Sequence, residues 1–253
     1  MKKKTGIIIL ARLTSNRLPR KHLLKILDFS IIEFLIERLK KIKLTDEIIL
    51  ATTESHQDDE LIDIAKKRNI SFFRGDSKNV IRRVLMCSKK FSLKKICLIT
   101  ADCPIIDPEL IKKILIISNK NDNIDYINNA KLGLPNGMGC QVFTYAALKK
   151  SYLSLRLKDE MEHVTLNIRR NNKKFKNLYT RPIKENLYPN LSITLDEYDD
   201  YLLIKKIIEH FSKKNDLDFN CEDIINLLKK NKSWLLINKN VKRVDHKIKF
   251  SYP

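Results

Sequence analysis

The sequence predicts an α/β fold built on a mostly parallel central sheet. Strand and helix signals alternate through roughly the first 120 residues. The opening run, Gly6-Ile7-Ile8-Ile9-Leu10-Ala11, is apolar at every position, as a strand covered on both faces must be. A repeated strand–helix–strand order demands crossover connections, which place parallel strands side by side and helices on both sheet faces.

Each element has its own reason. Residues 6–11 read as a buried strand. Ser30-Ile31-Ile32-Glu33 has the capping-box pattern, and Ile32, Leu35, Ile36 and Leu39 recur at helical spacing. A second strand covers 47–51. A helix over 58–68 puts Leu61, Ile64 and Ala65 on one face, and a short strand at 71–73 ends at Gly75. A helix over 79–90 and a strand over 96–100 follow. Asp107-Pro108-Glu109 opens the next helix, with Asp as cap, Pro in the first turn and Glu favoured by the helix dipole. Beyond residue 123 the pattern loosens into short strands near Tyr126, at 141–144 and at 176–180, interrupted by a helix near 162–170. Residues 191–195 are again strand-like, and a helix spans 197–211. Ile224, Ile225, Leu227 and Leu228 mark one further amphipathic helix before a basic end. The expected division is a main domain over 1–212, with a looser arm at about 125–185, and a helical, basic extension over 213–253.

The bulk numbers narrow the class. A chain of 253 residues with 43% hydrophobic and 32% charged residues suits one soluble globular core. No apolar run reaches the roughly 18 residues that span a bilayer. Met1-Lys2-Lys3-Lys4 resembles the start of an export signal, but the short apolar run after it leads straight to arginines, so a strand is expected. Five cysteines without a CxxC pair suggest reduced thiols, a cytoplasmic location and no zinc site. The net charge of +20 comes from lysines dispersed along helix faces beside Ile and Asn, a pattern that compositional bias produces. Weak, non-specific binding to nucleic acid follows from the charge alone.

Three constellations carry chemistry. Directly after the first strand, Arg12-Leu13-Thr14-Ser15-Asn16-Arg17-Leu18-Pro19-Arg20-Lys21 sets three arginines and a lysine at a sheet edge. Open α/β sheets bind ligands at that edge. Arg12, Arg17 and Lys21 suit phosphate oxygens, with Ser15 and backbone N–H groups completing a cradle; a solvated basic loop is the alternative. Asp102, in Thr100-Ala101-Asp102-Cys103-Pro104, either holds a divalent ion or caps a turn before Pro104. Asp196, in Thr194-Leu195-Asp196-Glu197, serves equally as a second metal carboxylate or a helix cap. No GxxxxGK[ST] and no GxGxxG after the first strand is present, so any phosphate device here is rich in side chains. Gly133-Leu134-Pro135-Asn136-Gly137-Met138-Gly139 reads as a flexible loop whose glycines permit close backbone approach. His163 either acts as a base or is an ordinary helix residue.

The segment 11–21 resembles the AR-x-x-S-x-RLP-x-K signature of sugar cytidylyltransferases. These include the CMP-Kdo and CMP-sialic acid synthetases and, nearest, the spore coat polysaccharide biosynthesis protein F group. The likeness continues through 46–52, Phe73-Arg74-Gly75, 100–108, Glu162-His163-Val164-Thr165 and Thr194-Leu195-Asp196. The resemblance implies a Rossmann-like nucleotidyltransferase fold of the nucleotide-diphospho-sugar transferase type, with CTP, Mg²⁺ and a homodimer that uses the mid-chain arm. It places Ala11, Arg12, Ser15, Arg17, Lys21, Arg74 and Ala101 at the nucleotide, with Lys21, Arg12 and Arg17 catalytic and Asp102 and Asp196 on the metal. Gln141, Glu162 and His163 would face a small acidic sugar. A phosphonate or sugar-phosphate acceptor, and a non-catalytic nucleic-acid binder, are the rival functions. Three departures stand out: Ala101 and Arg20 occupy positions where the group usually has Gly, and Glu197-Tyr198 replaces a usual Thr-Pro.

Overall fold

The computed structural model describes residues 4–130, 133–213 and 217–243; His246 and the basic end beyond Arg243 lie outside them. The strands are β1 (Thr5–Leu10), β2 (Lys25–Ile26), β3 (Phe29–Ser30), β4 (Glu47–Thr53), β5 (Ser71–Gly75), β6 (Lys95–Thr100), β7 (Tyr126–Asn128), β8 (Gln141–Thr144) and β9 (Asn177–Tyr179). The helices are α1 (Ile31–Lys40), α2 (Asp59–Lys67), α3 (Val80–Lys90), α4 (Pro108–Lys120), α5 (Tyr145–Leu153), α6 (Lys158–Glu162), α7 (Leu166–Arg170), α8 (Tyr198–Ser212) and α9 (Cys221–Lys230).

Seven strands form one sheet in the order β5-β4-β1-β6-β8-β7-β9. The β5–β4, β4–β1, β1–β6 and β7–β9 pairs are parallel, and β8 runs antiparallel to both β6 and β7. The apolar run of β1 explains its central place. Ile7 and Ile9 pack with α1, α2 and α4, whereas Ile8 faces the opposite layer with α3 and α5. Side chains alternate across a strand, so a strand covered on both sides needs apolar residues throughout. The register pairs Leu10 with Ala51 and with Thr100. The loops after β1 and β6 therefore leave the sheet side by side, at its carboxyl edge.

A third core sits at that edge. Phe34, Leu191, Ile193, Leu195, Ile204, Ile207, Ile224 and Leu228 share it, so α8 and α9 close against α1. Phe219 stacks on Phe211 with ring centroids 4.4 Å apart, and Arg38 donates to the Phe219 carbonyl at 2.9 Å. The C-terminal helix thus shares apolar core with the body of the molecule.

Several expectations change in detail. The helix expected near 162–170 is split: α6 ends at Glu162 and α7 starts at Leu166, because Val164 turns into the core and Thr165 donates to Gln141 at 2.8 Å, breaking the period. Residues 191–195 join no sheet; Ser192 makes a single parallel bridge to Asn136, and the apolar side chains fill the third core. The arm region contributes β7, β8 and β9 to the central sheet. The glycine-rich loop is tightly packed rather than loose. Leu134 and Met138 are buried, and Gly137, at φ 102°, leaves only 3.0 Å between a would-be Cβ and the Ile193 carbonyl. The β2–β3 hairpin and α5 had no clear sequence signal. All five cysteines are buried and free, with burial pushing Cys87, Cys97 and Cys221 up to about 12. Among the described residues no helix is long and apolar enough to cross a membrane.

Candidate active site

The loop leaving β1 is held in place from below. Buried Asp58, just before α2, accepts the Leu13 N–H at 2.7 Å and the Thr52 hydroxyl at 2.9 Å, and also binds the Thr53 hydroxyl. The loop then closes on itself through Arg20 N–H to the Leu13 carbonyl at 3.0 Å. Arg20 lies at φ 56°, ψ 22°, a left-handed conformation that glycine adopts without strain. A glycine would suit that geometry; the Arg20 side chain reaches Glu60 at 2.5 Å.

This closed loop aims its cations at residues far along the chain. Lys21 is 8% exposed, and its ammonium donates to the Leu195 carbonyl and lies 3.4 Å from Asp196 Oδ1. Arg17 reaches the same Oδ1 at 2.8 Å. Asp196 Oδ2 faces the Thr194 hydroxyl at 3.3 Å and Arg243 at 3.6 Å. The Leu195 N–H donates to the Asp102 carbonyl at 2.7 Å, which stitches the loop after β6 to the segment before α8. Asp102 and Asp196 thereby line one cleft of about 640 Å³ at the sheet edge.

This geometry bears on two of the sequence alternatives. The cap of α8 is Glu197, in a capping box with Asp200, so the Asp196 carboxylate does not cap the helix. Asp102 makes no ion pair among the described residues, and its carboxylate meets the Cys103 thiol at 3.5 Å. Two carboxylates, one ringed by cations and one without an ion pair, fit the donor set Mg²⁺ takes from protein when phosphates and water supply the rest.

The cleft is also lined by Ala11, Arg12, Ser15, Ala101, Asn136, Glu162 and His163. Ala101 keeps an ordinary backbone, its N–H donating to the Leu10 carbonyl at 2.9 Å, so the position accepts a methyl group. Two expected residues lie outside the lining. Arg74 binds the carbonyls of Thr53 at 3.1 Å and Ser55 at 2.6 Å and the Asp59 carboxylate at 2.6 Å, tying β5 to the start of α2. Gln141 accepts from the Tyr126 and Thr165 hydroxyls beneath the cleft.

The geometry of a basic strand-end loop facing two aspartates is matched by a sequence-wide signal: the cytidylyltransferase family model matches residues 6–240. The chain belongs to the cytidylyltransferase family. An uncharacterized protein of Methanocaldococcus jannaschii is 36% identical over 95% of this chain and 96% of its own length. The spore coat polysaccharide biosynthesis protein SpsF of Bacillus subtilis is 28% identical over 88% of this chain and 93% of its own. Among solved structures, a cytidylyltransferase from Leptospira borgpetersenii serovar Hardjo-bovis superposes with a TM-score of 0.88 at 32% identity, covering 96% of this chain and 100% of that one. A CMP:2-keto-3-deoxy-manno-octonic acid synthetase shares the fold, with a TM-score of 0.63 at 15% identity over 82% of this chain and 99% of that one.

Three cleft residues of this cytidylyltransferase escaped the sequence reading. Arg83 of α3 is 4% exposed; its Nε has no hydrogen-bond partner among the described residues, and burial followed by the field of Arg12 draws its pKa down. A signal existed, since an arginine sits on the apolar stripe Val80-Val84-Cys87. His22 is 5% exposed, and burial followed by the charge of Lys21 lowers its pKa to about 4, so the imidazole is neutral at physiological pH. Arg243 comes from the C-terminal extension, and nothing local announces it.

Proposed function

We propose that this cytidylyltransferase transfers the cytidylyl group of CTP to a Kdo-like or nonulosonic 2-keto sugar acid, releasing pyrophosphate and supplying a CMP-sugar for surface polysaccharide synthesis in the cytoplasm. One observation carries the reading: Arg17, Lys21, Asp102 and Asp196, from three distant segments, meet in a single cleft. The polysaccharide role of the Bacillus subtilis relative, as its name gives it, supports the class of product.

In this reading Arg12, Arg17 and Lys21 bind the triphosphate. The arginines offer paired N–H donors and Lys21 a compact charge. Arg17 and Lys21 contact Asp196, and the more highly charged phosphate oxygens would compete with it for them. Asp102 and Asp196 would hold Mg²⁺, which when bound would supply positive charge to the phosphate oxygens. An acceptor hydroxyl attacks the α-phosphorus, and positioned charge does most of the work. Asn136, Glu162 and His163 line the same cleft, where His163 binds the acceptor carboxylate or takes the hydroxyl proton. A homodimer belongs to the same proposal. It is supported by Leu153, Leu157 and Met161, apolar side chains exposed on and between α5 and α6, and light scattering in solution reads it.

The test incubates the protein and Mg²⁺ with CTP, ATP, GTP or UTP and a panel of 2-keto sugar acids, phosphonates and sugar phosphates, read by mass spectrometry. A CMP conjugate of a 2-keto acid with equimolar pyrophosphate is expected. Conjugates of phosphonates or sugar phosphates alone would move the protein to the alternative acceptor class. No pyrophosphate from any pair would reject catalysis of this type.

A further inference from the structure

The C-terminal extension returns to the cleft and ends, among the described residues, on Arg243. This residue lies past the segment 6–240 that the family model matches. Its anchor is Asp200, fully buried in the first turn of α8. Arg243 makes a two-pronged pair with Asp200, NH2 to Oδ1 at 2.6 Å and NH1 to Oδ2 at 3.0 Å. Asn238 donates to the same carboxylate at 2.8 Å, and the backbone N–H groups of Asp196 and Glu197 each donate to it at 3.0 Å. One buried carboxylate therefore fastens two segments together, the Asp196 backbone and the C-terminal strap.

The consequence falls on the Asp196 side chain. Its two oxygens have different neighbours. Oδ1 faces Arg17 and Lys21, the side chains assigned to the triphosphate. Oδ2 faces Arg243 NH1 at 3.6 Å and the Thr194 hydroxyl at 3.3 Å, and NH1 also lies 3.4 Å from that hydroxyl. Arg17 and Lys21 have phosphate oxygens to move to when nucleotide arrives. Arg243 does not move with them, because its fork is committed to a buried carboxylate, and paired guanidinium–carboxylate bonds are both strong and directional.

We propose that Arg243 is a positioning residue of the nucleotidyl-transfer site. Clamped on Asp200, it fixes Asp196 Oδ2 with Thr194 and so turns Oδ1 towards the triphosphate and its divalent ion. The inference rests on the reading of Asp196 as a metal carboxylate. The extension is then a working part of the site, completed by a residue 47 positions beyond the carboxylate it orients. Lysine is a poor replacement, since a compact ammonium lacks the planar fork that holds Asp200 through two parallel bonds while NH1 also faces Asp196.

The test is Mn²⁺ binding to the full chain in the presence of CTP, followed by electron paramagnetic resonance, with thermal melting alongside. Losing an outer-shell partner of a metal ligand weakens metal affinity by about 10–100-fold. Arg243→Gln and Arg243→Lys are each expected to weaken Mn²⁺ binding about tenfold, with a matching rise in the Mg²⁺ needed for half-maximal turnover. Thr194→Val leaves the Asp200 clamp intact and should shift affinity the same way by a smaller factor; it decides the matter if Arg243→Gln fails to fold. Asp196→Asn separates the two readings. If it weakens Mn²⁺ binding while Arg243→Gln, Arg243→Lys and Thr194→Val bind like wild type, the positioning role falls and the metal carboxylate stands. If Asp196→Asn binds Mn²⁺ like wild type, both readings fall. Lower melting temperatures in the Arg243 variants with unchanged Mn²⁺ affinity would make the strap purely structural and overturn the inference.

Discussion

Replacing Lys21 with methionine removes one ammonium from the cleft and keeps an unbranched stem of similar volume. Before nucleotide binds, the damage is limited. Asp196 retains Arg17 at 2.8 Å and Arg243 at 3.6 Å, so no carboxylate is stranded. The Leu195 carbonyl loses its Lys21 donor, a penalty of about 1–3 kcal/mol that the release of a desolvated ammonium offsets. Net stability should therefore change by no more than roughly 1–2 kcal/mol. The nucleotide complex is different. A hydrogen bond to a charged group contributes about 1.5–3 kcal/mol, so CTP should bind about 10–150-fold more weakly. A preorganised donor aimed at developing charge contributes about 2.7–4 kcal/mol, so turnover should fall about 10²–10³-fold. Calorimetric titration with CTP reads the first, pyrophosphate release the second and urea unfolding the stability. A variant with wild-type CTP affinity and turnover would refute the assignment of Lys21 to the triphosphate, whatever the identity of the acceptor.

Asp102→Asn should lose roughly a hundredfold or more in turnover with an unchanged urea midpoint, because the wild-type carboxylate makes no ion pair among the described residues; near-normal turnover at saturating Mg²⁺ would remove it from the metal site. Asp58→Ala strips buried partners from the Leu13 N–H and the Thr52 and Thr53 hydroxyls, and should destabilise by roughly 3 kcal/mol or more while weakening CTP binding; a loss under 1 kcal/mol would contradict the anchoring role. Arg20→Gly should leave stability unchanged or raise it by up to about 1 kcal/mol, since relief of left-handed strain outweighs an exposed ion pair with Glu60, whereas Arg20→Val should destabilise; the two variants melting alike would contradict the strain. Glu33 has the opposite electrostatic setting to an exposed acid. Burial alone would raise its pKa, but the Ser30 N–H and hydroxyl with Arg68 and Lys67 lower it from 4.5 to about 2. A depressed folded value means its stabilisation is complete above about pH 4.5 and is lost as pH falls towards 2. That contribution is at most roughly 3 kcal/mol, so Glu33→Gln should flatten the acid limb of a stability–pH curve; an unchanged limb would rule it out.

The sequence alone carried much of what is set by neighbours a few residues apart, though not the β2–β3 hairpin or α5. The unbroken apolar run of β1, the capping box at Ser30 and the Asp107-Pro108 helix start each report contacts within one or two turns, and each element formed where its pattern lay. The cation-rich loop was equally plain, because its charges are contiguous in the chain. What the loop faces was not. Lys21 meets Leu195 across 174 residues and Arg17 meets Lys242 across 225, and no periodicity encodes such pairings. The same reason explains each revision. Residues 191–195 have the composition of a strand, yet the third core offered apolar cover and no ladder beyond the bridge to Asn136. Arg74 is a spare cation in the chain, but in the fold its guanidinium is filled by two carbonyls and Asp59. Arg83, His22 and Arg243 stand in the cleft because packing of α3, of the turn after the basic loop and of the C-terminal strap brought them there. Hydrophobic pattern is a short-range property and fixes the elements; a cleft is assembled from side chains whose proximity exists only after those elements have packed.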